Sequence, residues 1–125
     1  MSGYRSYERQ EELYRKKLRE QPQGSETPVQ WVAPPGASEH QTGLALDVSC
    51  QAVDYKLDER FGETREGLWL KRYAPLFGFI LRYSKGKEHI TGYGWEPWHI
   101  RYVTRSLALY LTLTGLTLEE YYEQK

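Results

Sequence analysis

Three histidines occur in the 125 residues, His40, His89 and His99, and two of them can be set beside the carboxylates Asp47 and Glu96. His40 precedes Asp47 within Ser38-Glu39-His40-Gln41-Thr42-Gly43-Leu44-Ala45-Leu46-Asp47. The separation is odd, so on one unbroken strand the two side chains would face opposite ways. Convergence therefore needs a turn or bulge between them, and Gly43 is suited to it. His99 follows Glu96, and Pro97 between them keeps Glu96 extended rather than helical. Two histidines and an aspartate form a ligand set used by catalytic zinc, with a fourth position left to water and a non-ligating carboxylate as base. Spacing alone leaves that reading open beside a plain one, in which the histidines pack or cap. A nucleophilic Ser38 with His40 as base is weaker still, because no G-x-S-x-G elbow is present. The absence of H-E-x-x-H excludes a thermolysin-like zinc protease.

The elements that must position these residues can be read from periodicity. Ser6 can cap a helix over about Tyr7–Glu20, with Leu13, Tyr14 and Leu18 near helical spacing. A Pro- and Gly-rich loop runs from Gln21 to about Ser38, long enough to be functional rather than idle. Gly43–Ser49 alternates with period two, giving a half-buried strand with Asp47 opposite Leu44, Leu46 and Val48. A helix is predicted from about Thr64 to Phe77, with Trp69, Leu70, Tyr73, Ala74 and Phe77 on its apolar side and Gly78 at its end. Phe79–Tyr83 reads as a strand followed by a turn over Ser84–Lys87, and Trp98–Val103 as a strand with His99 and Arg101 on one face. A last helix over Thr104–Thr114 ends at Gly115, and Thr117 with Glu120 forms a capping box. The order helix, strand, helix, strands, helix, without βαβ regularity, predicts an α+β domain with an antiparallel sheet flanked by helices.

Composition narrows the function classes. Lys+Arg and Asp+Glu both number 17, so the formal net charge is zero. Nucleic-acid binding is thereby disfavoured, since its footprint is a basic excess. No apolar run approaches the ~20 residues of a membrane-spanning helix, and no secretory signal opens the chain. A single cysteine, Cys50, excludes an internal disulfide framework and a cysteine-rich zinc site. It reads as a small buried residue beside the first strand.

The segment Ser38–Asp47 fits the pattern S-x-H-x-x-G-x-A-x-D, and Glu96-Pro97-Trp98-His99 fits its E-P-W-H partner. Together they closely resemble the VanY-type zinc D-alanyl-D-alanine carboxypeptidases, including related L,D-carboxypeptidases of peptidoglycan. Ser2-Gly3-Tyr4-Arg5-Ser6, Gly78–Tyr83 and Ile90-Thr91-Gly92-Tyr93 extend the resemblance over nearly the whole chain.

The resemblance implies one zinc carboxypeptidase domain over residues 1–125, with the site in a cleft. Zn2+ would be held by His40, Asp47 and His99, with Glu96 as general base. Arg5 would steady the oxyanion or grip substrate, and Gln10 and Ser38 would help bind the peptide's C-terminal end. Plain alternatives are a helix-face Gln10 and a loop-capping Ser38. His89 reads as a surface residue, and Tyr93, Trp95, Trp98 and Tyr102 could line the cleft. The implied substrate is a tetra- or pentapeptide stem ending in D-alanine, cut with D,D or L,D preference by a monomer. Rival readings are an endopeptidase of the same fold and a non-catalytic wall-peptide-binding module, against which Glu96 speaks. Relatives of this type carry an anchor or linker before the Ser2–Ser6 segment, and that region is expected to be absent here. By analogy the place of action is the cell envelope, with the cytoplasm left open.

Overall fold

The three short strands form one antiparallel sheet in the order β1-β3-β2: Ala45–Asp47 (β1), Phe79–Leu81 (β2) and His99–Tyr102 (β3). The structure, a computed structural model, describes residues 3–20 and 33–124. The helices are Tyr7–Glu20 (α1), Arg65–Tyr73 (α2), Glu88–Thr91 (α3), Arg105–Thr114 (α4) and Leu118–Glu123 (α5). The α+β architecture agrees with the alternation in the sequence. Residues 21–32 of the predicted loop lie outside the described residues.

Register does most to position the site. Across β1 and β3, Ala45 pairs with Arg101, Leu46 with Ile100 and Asp47 with His99. Direct antiparallel partners share a face, so Asp47 and His99 emerge side by side. Across β2 and β3, Ile80 pairs with Arg101 and Leu81 with Ile100. The expected alternation of β1 is present, with Asp47 opposite the leucines, but the buried face is the one carrying Ala45 and Asp47. Leu44 and Leu46 are each 40% exposed. Large apolar side chains usually mark the inner face; here a polar cluster occupies it.

Ser6 caps α1, its Oγ accepting from Arg9 N at 3.2 Å. The buried residue of α1 is the polar Gln10, while Leu18 is exposed. The predicted helix over Thr64–Phe77 is two pieces. Thr64 caps α2 by accepting from Gly67 N at 3.0 Å, and a 3-10 turn over Ala74–Phe77 follows, with Pro75 at its start. Proline cannot donate the interior helical hydrogen bond, so the α-helix stops before it. Trp69 and Phe77, expected on the apolar side, are 56% and 67% exposed. The turn at Ser84–Lys87 and the Thr117/Glu120 capping box form as predicted.

Two apolar clusters flank the sheet. One joins Cys50, Val53, Phe61 and Trp98, and the other joins Ile80, Ala108, Leu111 and Leu118. Cys50 is thus a buried small residue, as read from the sequence.

Candidate metal centre and active-site cleft

Between His40 and Asp47 the chain makes the reversal that their odd spacing requires. Glu39–Thr42 is a 3-10 turn capped by Ser38, whose Oγ accepts from His40 N at 3.3 Å. Gly43 ends it at φ 77°, a left-handed conformation that glycine adopts without Cβ strain. The chain then enters β1 with Asp47 pointing back at His40.

The three side chains converge. His40 Nε2 lies 3.1 Å from Asp47 Oδ2 and His99 Nδ1 lies 2.9 Å from Asp47 Oδ1. One ligand atom from each falls within 4.8 Å of the others, and all three residues are buried. The opposite ring nitrogens are also engaged: His40 Nδ1 is 2.8 Å from Gly3 O, and His99 Nε2 is 3.1 Å from Glu39 Oε2. A carbonyl can only accept, so a neutral His40 carries its proton on Nδ1 and its lone pair on Nε2, facing Asp47. Two imidazole nitrogens, each oriented by an outer partner, and a carboxylate between them fit the donor set of a zinc site and its supporting shell. His40, Asp47 and His99 are therefore a group that could hold Zn2+.

Glu96 stands next to this group, with Oε2 4.0 Å from His99 Nδ1 and only 6% exposure. Burial first, and then the Asp47 and Glu39 charges, push its carboxyl up to about 8, with His99 opposing them. For Asp47 burial acts upward, but its contacts with the two imidazoles outweigh it and hold the carboxyl at about 2. For His99 burial acts downward, but hydrogen bonds to Asp47 and Glu39 prevail and raise it to about 9.

Arg5 reaches in from the N-terminal segment. Its backbone N donates to His40 O at 2.9 Å, and its guanidinium lies 3.9 Å from Asp47 Oδ2. Burial lowers its affinity for the proton and Asp47 opposes that effect. Gln10 is 1% exposed; its Oε1 accepts from Arg5 Nη1 at 2.8 Å and its Nε2 donates to Ala33 O at 2.6 Å. Both ends of that amide are thus taken up within the protein.

A cleft of about 770 Å³ opens over these groups, lined among others by Arg5, Ser38, Tyr83, Tyr93, Glu96 and Trp98. Tyr93 and Trp98 were expected there. Trp95 and Tyr102 line no part of it: Lys85 sits over the Trp95 ring and Tyr102 packs on Phe79. His89 is exposed on α3, as read from the sequence. Sequence reasoning passed over Tyr83, which stacks on His99 at 5.0 Å and 21°, and Glu39, which sits against its ring edge. A lone arginine in the apolar run Phe79–Tyr83 was the available signal, because a charge in a buried strand needs a partner.

The fold and the site define a small α+β domain built around a three-residue metal group with a carboxyl beside it. The VanY family model, D-alanyl-D-alanine carboxypeptidase, matches residues 1–105, and the chain belongs to that family. Putative carboxypeptidase YodJ of Bacillus subtilis (strain 168) is 46% identical over 124 residues, covering 99% of this chain and 45% of that protein. The solved structure of the LdcB LD-carboxypeptidase, which concerns peptidoglycan recognition, has a TM-score of 0.87 at 47% identity. It covers 98% of this chain and 56% of that one. A mutant of the vancomycin-resistance D,D-pentapeptidase VanY in complex with Zn(II) gives 0.76 at 37% identity, over 97% of this chain and 68% of that one. The chain spans about half the length of the first two relatives.

Proposed function

We propose that this domain is a zinc carboxypeptidase that removes the C-terminal D-alanine from peptidoglycan stem peptides. The observation that carries the reading is the buried Glu96 carboxyl beside the His40, Asp47 and His99 group. Zinc bound there would bring the pKa of a coordinated water towards about 7 and polarise the scissile carbonyl.

Glu96 would take a proton from the attacking water and return one to the nitrogen of the departing D-alanine. A cation beside Glu96 favours its ionised form, which makes it a base at neutral pH despite its burial. Arg5 offsets the negative charge that grows on the carbonyl oxygen or on the terminal carboxylate. Gln10 acts on the peptide through Arg5, whose guanidinium it holds. Ser38 Oγ already accepts from His40 N, so its own hydrogen is the one it can offer to the peptide's C-terminal end. Tyr83, Tyr93 and Trp98 supply apolar walls. Because such stem peptides belong to the cell wall, the proposed place of action is extracytoplasmic.

Mass spectrometry of stem peptides before and after incubation tests this reading. Pentapeptides and tetrapeptides ending in D-alanine should each be supplied with a free and an amidated C-terminus. Loss of one alanine from a free-ended peptide is expected, with the length preferred reporting D,D or L,D specificity. Equal cutting of the amidated peptide, or larger fragments, supports an endopeptidase and overturns the proposal.

A further inference from the structure

Glu39 has two carboxylate oxygens and the structure assigns each a separate task. Oε2 faces His99 Nε2 at 3.1 Å. Oε1 accepts from Arg82 Nε at 2.5 Å and lies 3.2 Å from Arg101 Nη1. The remaining two nitrogens of Arg82 fork onto Glu119 of α5, at 2.5 and 2.9 Å. The Arg82 side chain is 11% exposed and lies over the Tyr83 ring at 5.1 Å, and Tyr83 in turn stacks on His99. His99 is therefore fixed on its face by Tyr83, on its outer edge by Glu39 and along the backbone by its pairing with Asp47.

We propose that Glu39 is a positioning residue that holds His99 by Nε2–H and so presents Nδ1 to the metal, with Arg82 and its anchor on α5 fixing Glu39 in place. The inference rests on the zinc reading above. A carboxylate accepts and never donates, so in the neutral ring that would bind metal it selects the tautomer with the proton on Nε2 and leaves the Nδ1 lone pair for the ion. The Arg82 and Arg101 guanidiniums, both at Oε1, give that carboxylate its counter-charges and fix its orientation. Glu39 would touch neither substrate nor metal. Its effect reaches the chemistry through the ring of His99.

Glu39→Gln separates this role from simple packing. The two arginines donate to Oε1, so the side-chain amide of the variant turns its NH2 towards His99 Nε2. That N–H favours the opposite tautomer, with a proton where the metal must bind. Zinc affinity, measured by competition with a chromophoric chelator, should fall roughly 10–100-fold, the usual consequence of losing such an outer partner. Nitrogen-15 NMR of the zinc-loaded wild type should show His99 protonated on Nε2. Glu119→Gln is the control, because it loosens Arg82 on the far side while sparing the Glu39–His99 contact. It should lower the melting temperature yet change zinc affinity by no more than about threefold.

Should Glu39→Gln not fold, Glu39→Asp takes its place; it keeps the charge for Arg82 but draws back from His99, and the same loss of affinity is expected. A Glu39 variant that binds zinc as tightly as wild type overturns the inference alone. So does a Glu119→Gln loss as large as that of Glu39→Gln, which would mean general loosening. Wild-type protein that takes up no zinc overturns the zinc reading and this inference together.

Discussion

Glu96 Oε2 lies 4.0 Å from His99 Nδ1, close enough to share a bound water yet outside the three-residue group whose ligand atoms gather around Asp47. On the proposed reading the carboxyl would serve proton transfer and the imidazole metal binding. Glu96→Gln keeps the side-chain volume but cannot take up a proton. Zinc content should stay near one per chain while turnover falls by roughly 10²–10⁴. His40→Ala should lose zinc and activity together. Loss of zinc from Glu96→Gln to the same extent would make Glu96 a ligand.

Arg5 is held by Gln10 at 2.8 Å and stands 3.9 Å from Asp47, so it faces the reacting groups without completing the metal set. Arg5→Ala is expected to leave zinc content unchanged and lower kcat/KM by roughly 10²–10³, the scale of losing one stabilising donor. Gln10→Ala should show a smaller loss in the same direction, since it removes one partner of the guanidinium and leaves the guanidinium itself. Steady-state kinetics on a free-ended stem peptide checks both, and a Gln10→Ala loss exceeding that of Arg5→Ala would contradict the order.

Zinc uptake should release protons. At pH 7 the metal-free protein carries one on His99, raised to about 9, and one on Glu96, raised to about 8. A ligand nitrogen must lose its proton to the buffer before the metal can take its place, and the cation then favours ionised Glu96. Calorimetric titrations in two buffers of different ionisation enthalpy should report about one to two protons released per zinc. Apparent affinity should rise with pH until about 9. Without metal the sign reverses for stability: both groups bind protons in the folded chain that they release on unfolding, so the metal-free fold weakens as pH rises from the ordinary values of 4.5 and 6.5 to about 8 and 9, and levels off above. Heats that do not depend on the buffer would contradict this account.

Gly67 lies in the first turn of α2, and a Cβ there would run into the Phe61 carbonyl oxygen. Gly67→Ala should destabilise the domain by about 2 kcal/mol or more, because backbone cannot swing aside as a side-chain tip can. The urea midpoint of the metal-free protein measures it, and a change within about 0.5 kcal/mol, the range of ordinary surface substitutions, would show that the turn yields.

The parts of the site legible in the sequence are those whose meaning is local. The turn at Gly43, the extended Glu96-Pro97 pair and the alternation of Gly43–Ser49 all follow from neighbouring residues. Glu39 escaped notice because its three partners, Arg82, His99 and Arg101, are brought to it by sheet pairing from far along the chain. The inner face of β1 was concealed for a related reason: Ala45 and Asp47 are buried, Asp47 among polar partners, whereas Leu44 and Leu46 stay partly exposed. In the Thr64–Phe77 segment a helical period continued past Pro75, and the missing N–H there, not the apolar pattern, set the end of the helix.

Anomalous diffraction at the zinc edge from crystals grown with one equivalent of zinc tests the central claim most directly. It should place one ion bound by His40 Nε2, Asp47 and His99 Nδ1, with both nitrogens at roughly 2.0–2.1 Å and Glu96 outside bonding distance. An ion elsewhere, or a ligand set that omits His99, would contradict the account.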